Sequence, residues 1–327
     1  MTKPTVFVTR LIREAGLQLV REFCQADIWD SEDAPPRSAL LERVRGVDGL
    51  LCLLSDRIDD ELLDAAGPQL KVISNHAVGF DNIDVPATTR RGIPVGNTPG
   101  ILTDATADFA FALLLAAGRR VVEAERYVRA GKWRSWGPSL LVGIDFNGAT
   151  LGLIGYGRIG QAMARRAAGF GMRILYCDPN PAPAVPGVQA TRVDLDTLLA
   201  ESDFVSLHTP LTPATRDLMD AGRLAQMKPG AVLVNTARGA MVDQAALYQA
   251  LKSGHLFAAA LDVTDPEPLP LDSPLLTLEN CIIAPHIASA GTKTRDRLAV
   301  VSVENLIAGL KGERLPFCVN PEVYSKA

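Results

Sequence analysis

The sequence predicts an α/β protein made of two doubly wound domains. Three observations carry this prediction: the length of the chain, an alternation of short apolar runs with amphipathic stretches in its first third, and a second such series beginning near residue 149. A chain of 327 residues exceeds the usual size of one hydrophobic core. Strand-like runs that alternate with helical patterns are typical of βαβ units and a parallel sheet.

The first series contains three predicted strands and two predicted helices. In chain order they are strand 6–9, helix 14–23, strand 49–54, helix 60–66 and strand 72–74. A turn-rich stretch, Gly92–Gly100, precedes an apolar helix that begins near Thr103. Its apolar run, 105–117, is interrupted by Asp108 and falls short of the roughly 20 residues needed to cross a bilayer. This helix is therefore expected to be buried in a folded domain.

The second series supplies six predicted strands. A polar, tryptophan-bearing segment, 131–148, comes first and is expected to project from the globule. The strands are Ala149–Tyr156, Arg173–Cys177, Phe204–His208, Ala231–Thr236, Ala258–Val263 and Cys281–Ala284. The prolines of Pro179–Gly187 indicate a surface loop. No seventh strand is expected, so the last helical pattern, Thr294–Gly309, is assigned to the first domain.

Composition argues against several classes of protein. Hydrophobic residues make up 47% and charged residues 21% of the chain, and a net charge of -4 provides no basic surface for nucleic acid. The five cysteines form no CxxC pair, so they are expected to be reduced thiols, and no metal site is predicted. The first ten residues lack the apolar core of a signal peptide. We expect a cytoplasmic protein with neither nucleic acid nor membrane as a partner.

A glycine-rich run, GYGRIG, follows an apolar strand and precedes the helical segment Gln161–Gly169, which is the context of the dinucleotide-binding fingerprint. Its glycines serve a tight turn, close approach of a pyrophosphate, and close packing of helix on strand. The helix N-terminus presents unpaired N–H groups and a positive dipole end. The predicted cofactor contacts are Gly155, Gly157, Arg158, Ile159 and Gly160. The run alone is weak evidence, because glycine turns also serve packing.

The following strand strengthens this interpretation. It ends in Asp178, about 20 residues past the fingerprint, where a carboxylate accepts hydrogen bonds from both adenosine ribose hydroxyls. The same charge repels a 2'-phosphate, and no arginine occurs in 178–180. The sequence therefore predicts NAD as cofactor, in preference to NADP.

Three ionisable side chains follow predicted strands of the second domain. Arg238 is the second-last residue of VLVNTARG, Glu267 lies in LDVTDPEP, and His286 ends CIIAPH. Open α/β sheets bind ligands at the carboxyl ends of their strands. Each residue alone has a plain structural explanation, as a surface charge, a turn residue or a loop histidine. Together they provide what reduction of a 2-oxoacid requires: a fork for the carboxylate, a proton donor, and a carboxylate that stabilises its protonated form.

These stretches identify a family resemblance that covers nearly the whole chain. The sequence resembles the D-2-hydroxyacid dehydrogenases, and among them glyoxylate/hydroxypyruvate reductases. The matching stretches are the fingerprint, NHAVGFDNID from Asn75, NTPGILTDATADFA from Asn97, NTARG from Asn235, LDVTDPEP from Leu261 and PHIAS from Pro285. Two departures are Thr264, where many relatives have Phe, and Ala288, where many have Gly.

The resemblance implies a role for each matching residue. Arg238 binds the substrate carboxylate and carbonyl, Glu267 hydrogen-bonds His286, and His286 is the general acid. Asp262 holds the nicotinamide amide, and the backbone N–H groups of Val78 and Gly79 bind the carboxylate. Further cofactor contacts are Thr209, Pro210, Thr236 and Ala237.

The resemblance also implies a domain organisation, that of formate/glycerate dehydrogenase-like proteins. A flavodoxin-like substrate domain comprises 1–100 and 288–327, and a Rossmann NAD-binding domain comprises 101–287. The chain then crosses between them near Gly100 and Ile287. A dimerisation arm, about 121–148, makes a homodimer and carries Trp133 and Trp136. Trp136 either limits the size of the substrate in the partner's site or, like Trp133, only packs in the dimer.

The expected reaction is reduction of glyoxylate or hydroxypyruvate to the D-2-hydroxyacid by hydride transfer from NAD(P)H. Two alternatives remain open. A phosphite dehydrogenase would retain Arg238, Glu267, His286 and Arg295, but that activity is associated with a lysine where this chain has Val78. A non-catalytic NAD-sensing regulator on the same fold is disfavoured by the intact set of three ionisable residues.

Overall fold

The computed structural model describes residues 2–31 and 33–326; the outer ends of the expected domains, Met1 and Ala327, lie outside this range. The chain forms two compact units. The first contains the described residues up to Leu102 and those from Ala290 onward, and the second contains Thr103–Ser289. The chain thus passes between the units after Leu102 and after Ser289, close to the crossings expected near Gly100 and Ile287.

The first unit is built on a five-stranded parallel sheet in the order β2-β1-β3-β4-β5. This is the flavodoxin-like strand order, as the resemblance implies. The strands are β1 (Thr5–Val8), β2 (Gln25–Ile28), β3 (Gly49–Cys52), β4 (Val72–Asn75) and β5 (Val95–Gly96). The helices, numbered in chain order, are α1 (Glu14–Phe23), α2 (Arg37–Arg43), α3 (Asp60–Ala66), α4 (Val85–Arg90) and α11 (Thr292–Leu310), and a 3-10 turn covers Pro321–Lys326.

The central strands of this sheet are buried on both faces. All four residues of β3 are buried, which explains their continuous apolar sequence, because helices cover both sides of a parallel sheet. Helix α11 packs on the sheet through Ala299, Val303 and Leu306. The last helical pattern therefore belongs to the first unit, as predicted.

The second unit contains a seven-stranded parallel sheet in the order β12-β11-β10-β9-β6-β7-β8. Its strands are β6 (Thr150–Ile154), β7 (Arg173–Cys177), β8 (Ala190–Arg192), β9 (Phe204–Leu207), β10 (Val232–Asn235), β11 (Ala258–Leu261) and β12 (Cys281–Ile283). The strand order reverses between β6 and β9, as in the Rossmann fold, with one strand added beyond the usual six. The predicted fold class is confirmed in both units.

Helices of the second unit complete the doubly wound pattern. They are α5 (Thr103–Gly118), α6 (Val121–Arg129), α7 (Arg158–Gly169), α8 (Leu195–Glu201), α9 (Ala221–Gln226) and α10 (Gln244–Lys252), with 3-10 turns at Gly239–Met241 and Pro274–Thr277. Helix α5 is buried along much of its length, as expected from its apolar sequence. Segment 131–148 contains neither helix nor strand.

The prediction of six strands in the second domain is wrong by one. Strand β8 has the sequence ATR and pairs only with β7, at the edge of the sheet. An edge strand with two exposed residues carries no continuous apolar run, so the pattern that identified the central strands is absent. The short edge strands β2 and β5 and the short helices α2 and α4 also went unpredicted.

Burial disfavours the thiolate form of three cysteines. It raises the pKa of Cys24 to about 11 and that of Cys281 to about 12, and it raises the pKa of Cys52 well above the ordinary value. A buried thiol stays protonated near neutral pH and behaves as a small apolar side chain. In the part of the chain that the structure describes, no helix combines the length and the apolar character needed to span a membrane.

Candidate active site

The fingerprint loop lies at the reversal of strand order in the second unit. Gly155 follows β6 with a φ of +92°, and a Cβ there would lie 2.6 Å from the carbonyl oxygen of His208. A Cβ on Gly160 would overlap the carbonyl oxygen of Gly155. Gly157 precedes α7, and no atom lies within 4 Å of a Cβ placed on it. This open space before a helix N-terminus fits a pyrophosphate.

Arg158 and Ile159 form the first turn of α7, as expected at the edge of this space. Asp178 lies after β7, where the backbone N–H of Tyr156 donates to its Oδ2 over 2.8 Å and that of Asn180 to its Oδ1 over 2.9 Å. The carboxylate is thus held in place by main-chain donors. Each oxygen retains acceptor capacity for a ribose hydroxyl, so these residues fit an adenine dinucleotide.

The remaining predicted cofactor contacts follow the next strands of the same sheet. Thr209 and Pro210 come after β9, and the Thr215 hydroxyl donates to the carbonyl oxygen of Pro210 over 2.7 Å. Thr236 and Ala237 come after β10. All four residues therefore lie at the carboxyl edge of the sheet, where ligands of such folds bind. Their contacts with a cofactor stay a prediction.

The loop of Arg238 is shaped by its neighbours. The side-chain amide of Asn235 donates to the carbonyl oxygen of Arg238 over 2.8 Å and accepts from the backbone N–H of Ala237 over 2.9 Å. A Cβ on Gly239 would overlap the backbone of Thr264, so the two segments touch main chain to main chain. The Arg238 guanidinium donates through Nη1 to the carbonyl oxygen of Ala237 over 2.8 Å. The position of this arginine therefore depends on an asparagine and a glycine.

Glu267 and His286 form a hydrogen-bonded pair. Nδ1 of His286 lies 2.9 Å from Oε2 of Glu267, and the backbone N–H of Thr264 donates to Oε1 over 3.0 Å. Burial opposes ionisation of Glu267, but the hydrogen bond and charge of His286, the Thr264 N–H and the charge of Arg238 hold its pKa below the ordinary value. Nε2 is therefore the imidazole nitrogen left to exchange a proton with a substrate.

Asp262 fixes the loop that carries His286. Its two carboxylate oxygens accept backbone N–H bonds from Ile287 over 2.8 Å and from Ala288 over 2.7 Å, and its carbonyl oxygen accepts from the N–H of His286 over 2.8 Å. His286 has a left-handed φ of +55°, which is uncommon outside glycine. With an exposed fraction of 1%, Asp262 serves the loop. Its predicted contact with a nicotinamide amide stays a prediction.

Val78 and Gly79 lie in the first unit, after β4. Two side-chain amides hold their carbonyl oxygens: Asn97 donates to Val78 over 2.9 Å, and Asn75 donates to Gly79 over 2.8 Å. The bond from Asn97 fixes the peptide plane that carries the Gly79 N–H. The predicted role of these backbone donors in carboxylate binding remains untested. Trp136, on segment 131–148, is 81% exposed.

The sequence motifs contained four positioning residues whose roles went unrecognised: Asn75, Asn97, Asn235 and Gly239. Three of them begin quoted motifs, and the fourth ends one. An asparagine at the end of a strand or directly after it is a signal for a side-chain bond to the turn that follows. The partner carbonyls, however, are identified only once the path of the turn is known.

Two buried histidines give the fold an acid-sensitive stability. Burial lowers the pKa of His76 to about 4, with a further contribution from the charge of Arg295, and burial alone lowers that of His208 to about 4. One ring nitrogen of each histidine lies 2.9 Å from a serine hydroxyl: Nδ1 of His76 from Ser302, and Nε2 of His208 from Ser206. Both histidines are therefore neutral in the folded protein at neutral pH.

We expect the melting temperature to fall as the pH drops from about 6.5 towards 4, because the unfolded histidines take up protons that the folded ones exclude. Each site accounts for roughly 3 kcal/mol across that window. Differential scanning fluorimetry of His76→Gln and His208→Gln should give a shallower decline than wild type, with His255→Gln as the matched control. Parallel declines in all four proteins would contradict this assignment.

Comparisons with known proteins identify relatives along the whole chain. Residues 111–288 match the model of the D-isomer specific 2-hydroxyacid dehydrogenase NAD binding domain. The chain is 54% identical to the glyoxylate reductase of Korarchaeum cryptofilum, over 98% of this chain and 97% of the relative.

Solved structures give the same picture. The TT0316 protein of Thermus thermophilus has a TM-score of 0.91 and 51% identity, over 96% of this chain and 99% of its own. An NADPH-dependent glyoxylate/hydroxypyruvate reductase of Sinorhizobium meliloti, solved with NADP and malonate, has a TM-score of 0.83 and 32% identity, over 97% of each chain.

Proposed function

The chain belongs to the D-isomer specific 2-hydroxyacid dehydrogenase family, and from this premise we propose that it reduces glyoxylate, and next hydroxypyruvate, to the D-2-hydroxyacid with NADH. The expected family and its NAD-binding domain are confirmed. The observation that carries the proposed chemistry is the bond between Nδ1 of His286 and Glu267. It engages Nδ1, so that Nε2 is the ring nitrogen left for a substrate.

The side chains divide the work of the reaction. Bound NADH supplies the hydride for the carbonyl carbon of the substrate. His286 delivers a proton from Nε2 to the carbonyl oxygen, while Glu267 stabilises the imidazolium before transfer and keeps the ring oriented. Arg238 binds the carboxylate through its fork of donors and stabilises the charge that develops on the oxygen.

The test is a panel of 2-oxoacids with NADH or NADPH in excess, followed by the absorbance of the reduced cofactor. We expect glyoxylate to have the highest kcat/KM, hydroxypyruvate to come close, and pyruvate and phenylpyruvate to be much poorer. NADH should be preferred to NADPH because of Asp178. Preference for phenylpyruvate, or reduction of NAD by phosphite, would overturn the substrate assignment. No turnover with any compound would favour a regulator.

A second copy of the chain is the partner we propose for the arm. Its apolar side chains are unusually exposed for a folded domain: Val121, Val128, Trp133, Trp136 and Val142 are each more than half exposed. Several large apolar side chains exposed on one segment are typical of a surface that a protein partner covers. Light scattering should give the mass of a dimer, and a monomer would contradict the proposal.

Replacing Trp136 with alanine is expected to broaden the range of substrates. If the ring closes the pocket of the second copy, it leaves room for a hydrogen or hydroxymethyl group and excludes larger ones. Loss of one such contact should raise relative activity on larger 2-oxoacids by roughly 10- to 200-fold at most. The ratio of kcat/KM for phenylpyruvate and glyoxylate measures the effect, with Trp133→Ala as the matched control. An unchanged ratio would remove Trp136 from the site.

A further inference from the structure

Strand β8 brings an arginine to the proposed cofactor site that is distant from it in sequence. Parallel pairing with β7 sets Arg192 opposite Tyr176, two residues before Asp178. Nε and Nη2 of Arg192 donate to the carbonyl oxygen of Asp178 over 3.2 and 2.8 Å, and Nη2 donates to that of Pro179 over 2.9 Å. A cation therefore lies against the main chain of Asp178, the residue whose carboxylate is proposed to bind the ribose.

The charge of this cation is not neutralised by an ion pair. Its bonds go to main-chain carbonyl groups, and among residues 2–31 and 33–326 it has no carboxylate within ion-pair distance. The Asp178 carboxylate is itself held by the N–H groups of Tyr156 and Asn180. Of five guanidinium N–H donors, the two on Nη1 make no bond to the described residues, and the side chain is exposed.

We propose that Arg192 is a cofactor-specificity residue that binds the 2'-phosphate of NADPH, so that the site accepts both dinucleotides. In dinucleotide-binding folds, an arginine near the ribose site after the second strand, here β7, accommodates a 2'-phosphate. A carboxylate at that site favours the free 2'-hydroxyl. Arg192 thus favours binding of NADPH at this ribose, whereas Asp178 favours binding of NADH. The absence of arginine from 178–180, on which NAD selectivity was predicted, does not exclude NADPH. This inference rests on the proposed dinucleotide site.

Titration calorimetry of the purified full-length protein with adenosine 2',5'-bisphosphate and adenosine 5'-monophosphate tests this inference. The two probes differ only in the 2'-phosphate, so the ratio of their Kd values isolates its contribution. Arg192→Gln should raise the Kd of the bisphosphate relative to that of the monophosphate by roughly 10-fold, the scale of one charge-assisted bond. Arg192→Lys, which keeps the charge, should recover part of this loss.

The matched control is Arg173→Gln, which removes the same charge at the start of β7, where Arg173 pairs with Glu201 over 2.8 Å. Its Kd ratio should remain at the wild-type value. The inference is overturned if the ratio is unchanged in Arg192→Gln, if it changes equally in Arg173→Gln, or if the wild type does not bind the bisphosphate. Because no 2-oxoacid is used, a failure of the proposed reaction is seen separately, in turnover with glyoxylate.

Discussion

Replacing His286 with glutamine is expected to lower kcat for glyoxylate by roughly 100-fold or more, the usual scale for the loss of a general acid. Glutamine keeps a polar side chain of similar reach, but it cannot release a proton from the position of Nε2. The loop itself should persist, because Asp262 holds it through the backbone N–H groups of residues 286–288. The substitution should therefore lower turnover while leaving the binding of NADH nearly unchanged.

NADH fluorescence measures the binding side of this prediction. The Kd for NADH should change little in His286→Gln, while stopped-flow turnover falls. His255→Gln, a substitution in the same unit where the ring bonds the carbonyl oxygen of Leu224, is the matched control and should retain wild-type kcat. Turnover near the wild-type rate in His286→Gln would remove this residue from the role of acid.

Replacing Arg238 with lysine should reduce kcat/KM by a comparable amount, roughly 100-fold or more. Lysine preserves the charge but presents an ammonium where a planar fork is needed, so the carboxylate and the developing oxyanion cannot be bound together. The charge of Arg238 also helps to keep the pKa of Glu267 low. A lysine should retain part of this effect of the positive charge on Glu267. The variant therefore separates the geometry of the guanidinium from its charge.

The steady-state pH profile distinguishes the two contributions. If geometry dominates, Arg238→Lys should lower kcat/KM at every pH without moving the limbs of the profile. If charge dominates, Arg238→Gln should move the acidic limb of the profile to higher pH, since the pKa of Glu267 would rise towards its ordinary value. Wild-type activity in Arg238→Lys would contradict the role of the guanidinium fork.

The central parts of the fold could be predicted because burial on both faces leaves a plain pattern. The runs at β3, β6 and β10 are buried throughout and mostly apolar, and both helix boundaries at α1 and α3 were predicted to the residue. Edge strands lack this pattern, since one side of each strand has no neighbour. The polar ATR sequence of β8 acquires its meaning only from pairing with β7.

The candidate site divides in the same way. Residues that carry charge at strand ends, such as Glu267 and His286, could be identified because their chemistry is visible in the residue type. The supports of these residues could not. Asn235 braces Arg238 through carbonyl and N–H groups that every residue possesses, so no side-chain pattern marks the partner.

The contact between Gly239 and Thr264 has a consequence for how such an enzyme diversifies. The two segments meet through their main chains, so neither can gain or lose a residue without displacing the other. Insertions and deletions should therefore be rare in both segments across the lineage. Most of the proline-rich loop at 179–187 is exposed, and length variation should accumulate there. Differences in cofactor preference would then arise in the loop beside the proposed ribose site, while the segments that carry Arg238 and Glu267 keep a constant length.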